Sequence, residues 1–204
     1  MTESRKPMKF LSKSYQIDNS WSIFLDRDGV INSRSMGEVI DTPEKFMFID
    51  GAKESITYFS KVFKRIIVVT NQQGINKELF TEQDLEQIHK KMLEEINQEG
   101  GKIDKIYFCP VLKEKNSFYR KPLPGMALLA KKDFPEIDFQ RSIMVGDSLS
   151  DMRFGKSLKM ITVFIGTDKK QVSQNGTLID FAFESLSSFK VFLEKHTIDS
   201  QNQR

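Results

Sequence analysis

Short apolar runs alternate with longer amphipathic runs along most of the chain. The apolar runs carry few charges and are rich in β-branched and aromatic residues, which is typical of strands buried in a parallel sheet. We predict five such strands, with a sixth at one edge of the sheet over Ile179–Phe183: Trp21–Leu25, Ile66–Val69, Ile106–Phe108, Ile143–Val145 and Ile161–Phe164. Strands that alternate with helices predict an α/β fold around a mainly parallel sheet.

Helices are predicted in the intervals between these strands. Their expected bounds are Ala52–Lys61, Glu82–Gln98, Gly125–Lys132, Leu149–Leu158 and Leu186–Glu194. Apolar side chains recur on one face of the second helix, at Leu85, Ile88, Met92 and Ile96. Thr81, followed three residues later by Asp84, has the form of a capping box at its start. We therefore expect this helix to pack against the core.

The composition fits one globular domain. The chain has 204 residues, of which 39% are hydrophobic and 29% are charged. Residues 1–20 show no clear periodicity, and we expect them to form a flexible leader to a single domain over residues 21–198.

The charge balance and the single cysteine narrow the function classes. A net charge of +3, from 31 basic and 28 acidic residues, does not favour a nucleic-acid partner. Cys109 cannot form an internal disulfide, and the first residues lack the apolar core of a signal peptide. No stretch approaches the roughly 18 apolar residues that span a bilayer. We expect a cytoplasmic protein without membrane attachment, and leave its oligomeric state open.

Reactive side chains follow several of the predicted strands. In an open parallel sheet, ligands bind beyond the carboxyl ends of the strands. Four segments carry the reactive groups, three of them directly after a predicted strand: Asp26-Arg27-Asp28-Gly29, Thr70-Asn71, Arg120-Lys121-Pro122 and Gly146-Asp147-Ser148-Leu149-Ser150-Asp151. The carboxylates of Asp26 and Asp28 would repel each other at a buried strand end unless a cation lay nearby. Oxygen ligands of this kind are those that Mg²⁺ prefers.

These groups supply the parts of a phosphoryl-transfer site. Asp26 could attack phosphorus and form an aspartyl-phosphate. Asp28 could protonate the leaving oxygen and then activate water, with its pKa raised by neighbouring negative charge. Thr70 and Lys121 could bind the phosphoryl oxygens, and Asp147 could hold the metal ion.

Each segment by itself also has an ordinary structural interpretation. Pairs of acidic residues occur in loops and at helix starts, Thr70-Asn71 could cap a turn, and Asp147 could cap the helix that follows. The occurrence of all four segments in order is what favours a catalytic site.

The four segments together resemble the motifs of the haloacid dehalogenase (HAD) superfamily. That resemblance implies a Rossmann-like three-layer sandwich without a large cap domain, and a metal held by Asp26, the main-chain carbonyl of Asp28, and Asp147. The stretches around Asp26-Arg27-Asp28-Gly29, Thr70-Asn71-Gln72-Gln73-Gly74 and Arg120-Lys121-Pro122 resemble heptose bisphosphate and histidinol phosphate phosphatases. By this resemblance, Asn71 and Arg120 contact the substrate.

The chain departs from these phosphatases at two places. Many of them hold a structural zinc through a Cys-x-His pair and a Cys-x-Cys pair before the Arg-Lys-Pro segment, whereas here only Cys109 remains. One thiolate cannot form a tetrahedral zinc site, so we predict no zinc, and a loop held by Phe118 and Tyr119 instead. Ser148 stands where heptose-type members commonly have lysine.

Three functions remain open from the sequence. The first is a Mg²⁺-dependent phosphatase for a small phosphorylated metabolite, such as heptose 1,7-bisphosphate or histidinol phosphate. The second is a polynucleotide 3′-phosphatase, because the segment from Phe118 to Met126 is also similar to the phosphatase domain of polynucleotide kinase. The third is a non-catalytic phosphosugar-binding protein on the same fold. For His89 and His196 we predict core or surface roles rather than catalysis.

Overall fold

The computed structural model describes residues 17–33 and 39–201. Most of the predicted leader, residues 1–16, lies outside these residues, as do residues 34–38 of the loop after the first strand. The six strands are β1 (Ser22–Leu25), β2 (Arg65–Asn71), β3 (Lys105–Cys109), β4 (Ser142–Gly146), β5 (Ile161–Ile165) and β6 (Phe181–Phe183). The α-helices are α1 (Ala52–Val62), α2 (Glu82–Gln98), α3 (Gly125–Asp133), α4 (Leu149–Ser157), α5 (Lys169–Gln174) and α6 (Leu186–Gln201).

The strands form one parallel sheet in the order β3-β2-β1-β4-β5-β6. Leu25 at the end of β1 pairs in register with Val68 of β2 and with Val145 of β4. The direction of strand order reverses between β1 and β4, and ligands bind at such a switch point in open α/β sheets. The fold is a Rossmann-like α/β sandwich, as predicted.

Apolar side chains cover both faces of the sheet. Ile23 and Leu25 of β1 belong to one core cluster, which includes Phe59 of α1 and Met92 of α2. Phe24 points to the other face, into a second cluster with residues of α3 and α4. Successive side chains of a strand point to opposite faces, so β1 is buried between two helical layers. The residue that follows β1 is therefore held in a rigid position.

Most predicted elements are confirmed, with shifts of one or two residues at their ends. The capping box of α2 is present: Thr81 Oγ1 accepts the backbone N–H of Asp84, and the Asp84 carboxylate accepts the N–H of Thr81. Three differences stand out. Helix α6 continues to Gln201, seven residues beyond its predicted end at Glu194. Strand β2 continues through Thr70 and Asn71, whereas the apolar pattern ends it at Val69, and the sequence pattern does not predict the short helix α5.

None of the helices in the described part of the chain is both long enough and apolar enough to cross a membrane. Trp21 and Cys109 are buried, as their apolar character predicts.

Candidate active site

All seven side chains that the sequence proposes for catalysis, metal binding or substrate binding line one cavity. They are Asp26, Asp28, Thr70, Asn71, Arg120, Lys121 and Asp147. The cavity has a volume of about 940 Å³ and lies at the carboxyl ends of the central strands. The backbone N–H of Asp26 donates to the carbonyl of Val145 over 2.9 Å, which continues the pairing of β1 with β4. This bond places Asp26 at the switch point.

Gly29 lets the turn after β1 approach the turn after β4. Its φ of +85° lies in the left-handed region, and a Cβ at this position would overlap the Asp147 carboxylate. Two loops that are far apart in the sequence therefore bring Asp26 and Asp147 into one site only because residue 29 has no side chain.

Lys121 is a buried cation beside Asp26. Its ammonium lies 2.8 Å from Asp26 Oδ1 and 2.6 Å from Asp151 Oδ1, and it donates to the carbonyl of Val69 over 2.7 Å. Burial by itself lowers the pKa of Lys121, but the carboxylates of Asp151 and Asp26 outweigh that effect and raise it. Lys121 is therefore positively charged and fixes the nucleophile candidate in place.

Asp151 is held at the start of α4. Ser148 is the N-cap of this helix, and the Asp151 carboxylate accepts the Ser148 backbone N–H in a capping box. A Cβ on Gly146 would overlap Asp151, so the glycine permits this close approach of α4 to β4. The helix start thereby delivers a carboxylate to Lys121.

The carboxylates exceed the positive charge at this point. One oxygen each from Asp26, Asp147 and Asp151 lies within 4.8 Å of the others. Burial and then the Asp151 carboxylate raise the pKa of Asp26 to about 8, although Lys121 acts in the opposite direction. A divalent cation would offset this excess negative charge, and carboxylate oxygens suit Mg²⁺. The three carboxylates are close enough to hold such an ion together, and they include both side chains that the sequence proposes as metal ligands, Asp26 and Asp147.

Asp28 is surrounded by hydrogen-bond donors. Asn32 Nδ2 donates to its Oδ1 over 3.0 Å, Gln72 Nε2 donates to its Oδ2 over 2.8 Å, and the Arg27 guanidinium binds both oxygens. Burial raises the pKa of Asp28, but Arg27 and the other donors outweigh it and lower the pKa below its usual value. The expectation of a raised pKa is therefore wrong, because the nearest groups are donors and not carboxylates.

Thr70 and Gln72 connect Asp28 to the end of β2. Thr70 is buried, and its hydroxyl accepts a hydrogen bond of 2.9 Å from Gln72 Nε2. The same amide nitrogen donates to Asp28, so Gln72 fixes the distance between these two predicted catalytic residues.

Asn71 and Arg120 shape the loop that carries Lys121. The Asn71 side chain exchanges two hydrogen bonds with the backbone of Lys121, of 3.1 and 3.2 Å. Arg120 donates to the carbonyl of Val111 over 2.9 Å and contacts Gln73. Phe118 and Tyr119 pack against each other edge to face, but they are 51% and 46% exposed. The hydrogen bonds of Asn71 and Arg120 add to this packing in holding the loop.

Sequence reasoning missed the residues that support Asp28. Arg27 and Gln72 lie within the motifs, yet no role was predicted for either, and His89 was predicted to be a core or surface residue. His89 is buried in α2, as predicted, but it also contacts Arg27 at 3.2 Å. The available signal was the arginine itself: a cation between two aspartates at the end of a buried strand requires partners.

Comparisons with known proteins agree with this geometry. The family described as polynucleotide kinase 3 phosphatase matches residues 22–190, a range that includes all seven proposed site residues. The chain is 38% identical over 150 residues to a D-glycero-alpha-D-manno-heptose-1,7-bisphosphate 7-phosphatase of Campylobacter jejuni. That alignment covers 74% of this chain and 84% of the relative. It is 33% identical over 173 residues to a D-glycero-beta-D-manno-heptose-1,7-bisphosphate 7-phosphatase of Neisseria meningitidis. This second alignment covers 78% of this chain and 91% of the relative.

A solved structure extends the likeness to the whole fold. A D,D-heptose 1,7-bisphosphate phosphatase from B. bronchiseptica, complexed with magnesium and phosphate, aligns with a TM-score of 0.78 at 28% identity. The alignment covers 86% of this chain and 98% of that chain.

Proposed function

The chain belongs to the family described as polynucleotide kinase 3 phosphatase, and it is similar to heptose bisphosphate phosphatases. We propose that it hydrolyses a sugar phosphate such as heptose 1,7-bisphosphate, with Mg²⁺, through an aspartyl-phosphate on Asp26. The observation that carries this proposal is the ion pair between Lys121 and Asp26 at the switch point of the sheet. It is the arrangement expected of a fixed carboxylate nucleophile beside a cation that can neutralise phosphoryl oxygens.

The first step forms a bond between Asp26 and phosphorus and breaks the bond between phosphorus and the sugar oxygen. Asp26 Oδ1 already accepts the backbone N–H of Arg27 and contacts the Lys121 ammonium, so we assign the attack to Oδ2. The leaving oxygen takes its proton from Asp28. The hydrogen-bond donors around Asp28 favour its carboxylate form, so Asp28 must take up this proton as substrate binds.

The second step returns the enzyme to its starting state. Asp28, now ionised, accepts a proton from water, which attacks the phosphorus of the aspartyl-phosphate. Inorganic phosphate leaves, the Asp26 carboxylate is regenerated, and Asp28 releases its proton to solvent. The donors around Asp28 support this half of the reaction because they stabilise the ionised base.

When bound, Mg²⁺ would supply positive charge to the non-bridging phosphoryl oxygens and offset repulsion among the carboxylates. Asp26, Asp147 and the main-chain carbonyl of Asp28 would hold it. Thr70 would donate its hydroxyl to a phosphoryl oxygen, and Lys121 would bind the same group. We expect no zinc in the loop after Cys109.

The cavity wall supports a substrate with a second anionic group. Lys77, Lys113 and Arg153 line the cavity together with the catalytic candidates. A phosphate distant from the scissile bond could be bound by these cations, and by Arg120 and Asn71 as the sequence suggests. The proposed partner is therefore a small bisphosphorylated metabolite. The proposed location is the cytoplasm.

One parallel screen tests this proposal. The purified protein is assayed with Mg²⁺ on the α and β anomers of heptose 1,7-bisphosphate, on histidinol phosphate, on sugar monophosphates and on a 3′-phosphorylated oligonucleotide. We expect the highest kcat/KM on a heptose bisphosphate and loss of turnover in EDTA. Full turnover in EDTA would refute the role of the metal.

The match to the polynucleotide kinase 3 phosphatase family keeps a second candidate in the same screen. A preference for the oligonucleotide would replace the sugar phosphate proposal with a polynucleotide 3′-phosphatase. Absence of hydrolysis on every substrate would favour the non-catalytic alternative.

A further inference from the structure

We propose that Arg27, held by His89 of α2, is a positioning residue that orients the Asp28 carboxylate for proton transfer. This inference rests on the proposed function, because it assigns a role within that reaction. Neither side chain is expected to touch the substrate phosphate in this role. Their effect is transmitted through Asp28.

Arg27 is buried to an unusual degree for an arginine. Only 1% of the residue is exposed, although it follows directly after the candidate nucleophile. A guanidinium out of water is costly unless its donors are paired. Its Nη2 lies 2.8 Å from Asp28 Oδ1 and 3.1 Å from Oδ2, and its Nε donates to Oδ1 over 3.2 Å. The guanidinium therefore fixes the plane of the Asp28 carboxylate.

His89 fixes the other side of the guanidinium. Its Nε2 lies 3.2 Å from Arg27 Nη1, and the residue is 8% exposed. Burial and the Arg27 charge disfavour the protonated ring, so Nε2 acts as the acceptor. The ring also packs edge to face on Phe108 of β3. His89 is thus set by the core and presents one acceptor to Arg27.

Helix α2 is held firmly by the core. The contact of its residue His89 with Arg27 therefore gives the guanidinium a fixed partner. Its four predicted apolar side chains are buried against the sheet, and its first turn is closed by the Thr81 capping box. Hydrogen bonds between His89 and Arg27, and between Arg27 and Asp28, therefore fix the position of Asp28 relative to α2. Asn32 and Gln72 also bind Asp28, but they belong to the loops around the cavity.

Two aryl phosphates of nearly equal size separate positioning from general damage to the site. p-Nitrophenolate leaves without a proton, whereas phenolate leaves far more readily when it is protonated. Phenyl phosphate therefore needs the acid function of Asp28 and p-nitrophenyl phosphate does not. The value of kcat/KM reports the steps up to loss of the leaving group, so the ratio between the two substrates measures proton transfer.

The variants are His89→Leu, which keeps apolar volume but loses the acceptor, and His89→Gln, whose amide oxygen can accept from Arg27. We expect His89→Leu to lose at least about tenfold in kcat/KM on phenyl phosphate and less than about threefold on p-nitrophenyl phosphate. His89→Gln should recover most of the loss. Met92→Leu, buried in the same helix, is the matched control and should leave both rates unchanged.

Arg27→Lys provides a second route if His89→Leu does not fold, since one ammonium cannot span both oxygens of Asp28 and His89. It should show the same selective loss on phenyl phosphate. Equal losses on both substrates, or no loss in either variant, would overturn the positioning role while leaving the proposed function intact. A wild-type protein that hydrolyses neither ester with Mg²⁺ would instead refute the proposed function.

Discussion

At the scale of single residues, the site depends on how buried charges are shared. Lys121 is bound to both Asp26 and Asp151, whereas Asp28 is bound by Arg27 and two amides. The pKa values of the two motif aspartates are consequently shifted in opposite directions, upward for Asp26 and downward for Asp28. These two carboxylates, two positions apart in the sequence, thus have different environments. Without metal and substrate, the directions are the reverse of what an ionised nucleophile and a proton donor need, so binding must lower the pKa of Asp26 and raise that of Asp28.

His89 should make the stability of the protein depend on pH. Burial, and then the Arg27 charge, lower the pKa of His89 from 6.5 to about 3, although Asp28 acts in the opposite direction. Between these values the unfolded chain binds a proton that the folded chain does not. The stabilising contribution of neutral His89 is therefore complete above about pH 6.5 and is lost as the pH falls below it, by at most about 1.4 kcal/mol per pH unit.

Urea unfolding of the wild type and of His89→Gln at pH 7 and pH 4.5 measures this effect. We expect the wild type to lose about 2 to 3 kcal/mol more than the variant between these pH values. The variant serves as the control for carboxylates that titrate over the same range. Equal losses in both proteins would show that His89 can be protonated in the folded state.

Much of the candidate site could be predicted at this scale, because strand ends and motif order point to Asp26, Asp28, Thr70, Lys121 and Asp147, which line one cavity. What could not be predicted is the contact between Arg27 and His89. These residues are 62 positions apart. No local pattern on α2 distinguishes a histidine that packs in the core from one that also accepts a hydrogen bond.

At the scale of elements, turns and helix starts deliver the reactive groups. The turn after β1 can approach Asp147 only because residue 29 is glycine, and Asp151 is delivered by the first turn of α4. These two local features determine whether the carboxylates meet. Each can be perturbed with a matched control elsewhere in the chain.

Gly29→Ala should impair metal-dependent activity more than it impairs folding. The added methyl group strains a positive φ, at a cost of about 1 kcal/mol, and also pushes against the Asp147 carboxylate. We expect a fall in kcat of at least about tenfold and a higher Mg²⁺ concentration at half-maximal rate. Steady-state kinetics over a Mg²⁺ titration measures both.

Gly100→Ala is the control for this substitution. Gly100 has a similar φ of +78°, but a Cβ there would have no atom within 4 Å. It should lose comparable stability and keep its activity. Similar activity losses in both variants would mean that backbone strain, and not contact with Asp147, explains the effect.

Ser148→Ala should loosen Asp151 and, through it, Lys121. Loss of the N-cap costs about 1 kcal/mol of stability. Thr81→Ala removes the equivalent cap from α2, where Asp84 contacts no catalytic candidate. We expect the temperature of thermal unfolding to fall by a similar amount in both variants. The value of kcat should fall only in Ser148→Ala. An unchanged kcat in Ser148→Ala would show that Lys121 alone is sufficient to hold Asp151.

The elements themselves were largely predictable, because buried parallel strands and amphipathic helices have distinct periodicities. The exceptions have physical reasons. Thr70 and Asn71 are polar but continue β2, since Thr70 pairs in register with Phe108 of β3. Helix α5 has only six residues and no buried side chain, so no apolar stripe marks it.

At the scale of the whole molecule, the sheet order determines where chemistry can occur. The strand order reverses between the neighbouring strands β1 and β4. A crevice therefore opens at the carboxyl ends of these two strands, and Asp26 and Asp147 line it. The sequence predicts the parallel sheet, but it does not predict the strand order, because pairing joins segments more than 100 residues apart.

Mg²⁺ should stabilise the folded molecule, because the excess of carboxylates around Lys121 exists only when the sheet is formed. A ligand that binds the folded state alone raises stability by about 2.7 kcal/mol at a concentration one hundred times its Kd. We expect the unfolding temperature to rise with Mg²⁺ concentration in the wild type. Asp147→Asn, which removes one proposed ligand, should abolish the rise, and an equal rise in that variant would place the metal elsewhere.

The most direct test of the central proposal is to trap the phosphoryl group on Asp26. The enzyme is mixed with p-nitrophenyl phosphate and Mg²⁺, quenched with acid and treated with borohydride, which reduces an acyl phosphate to an alcohol. Peptide mass spectrometry should then find homoserine at position 26, only when substrate was present, and none in Asp26→Asn, which should be folded but inactive. Homoserine at another position, or normal turnover by Asp26→Asn, would contradict the assignment of Asp26 as the nucleophile.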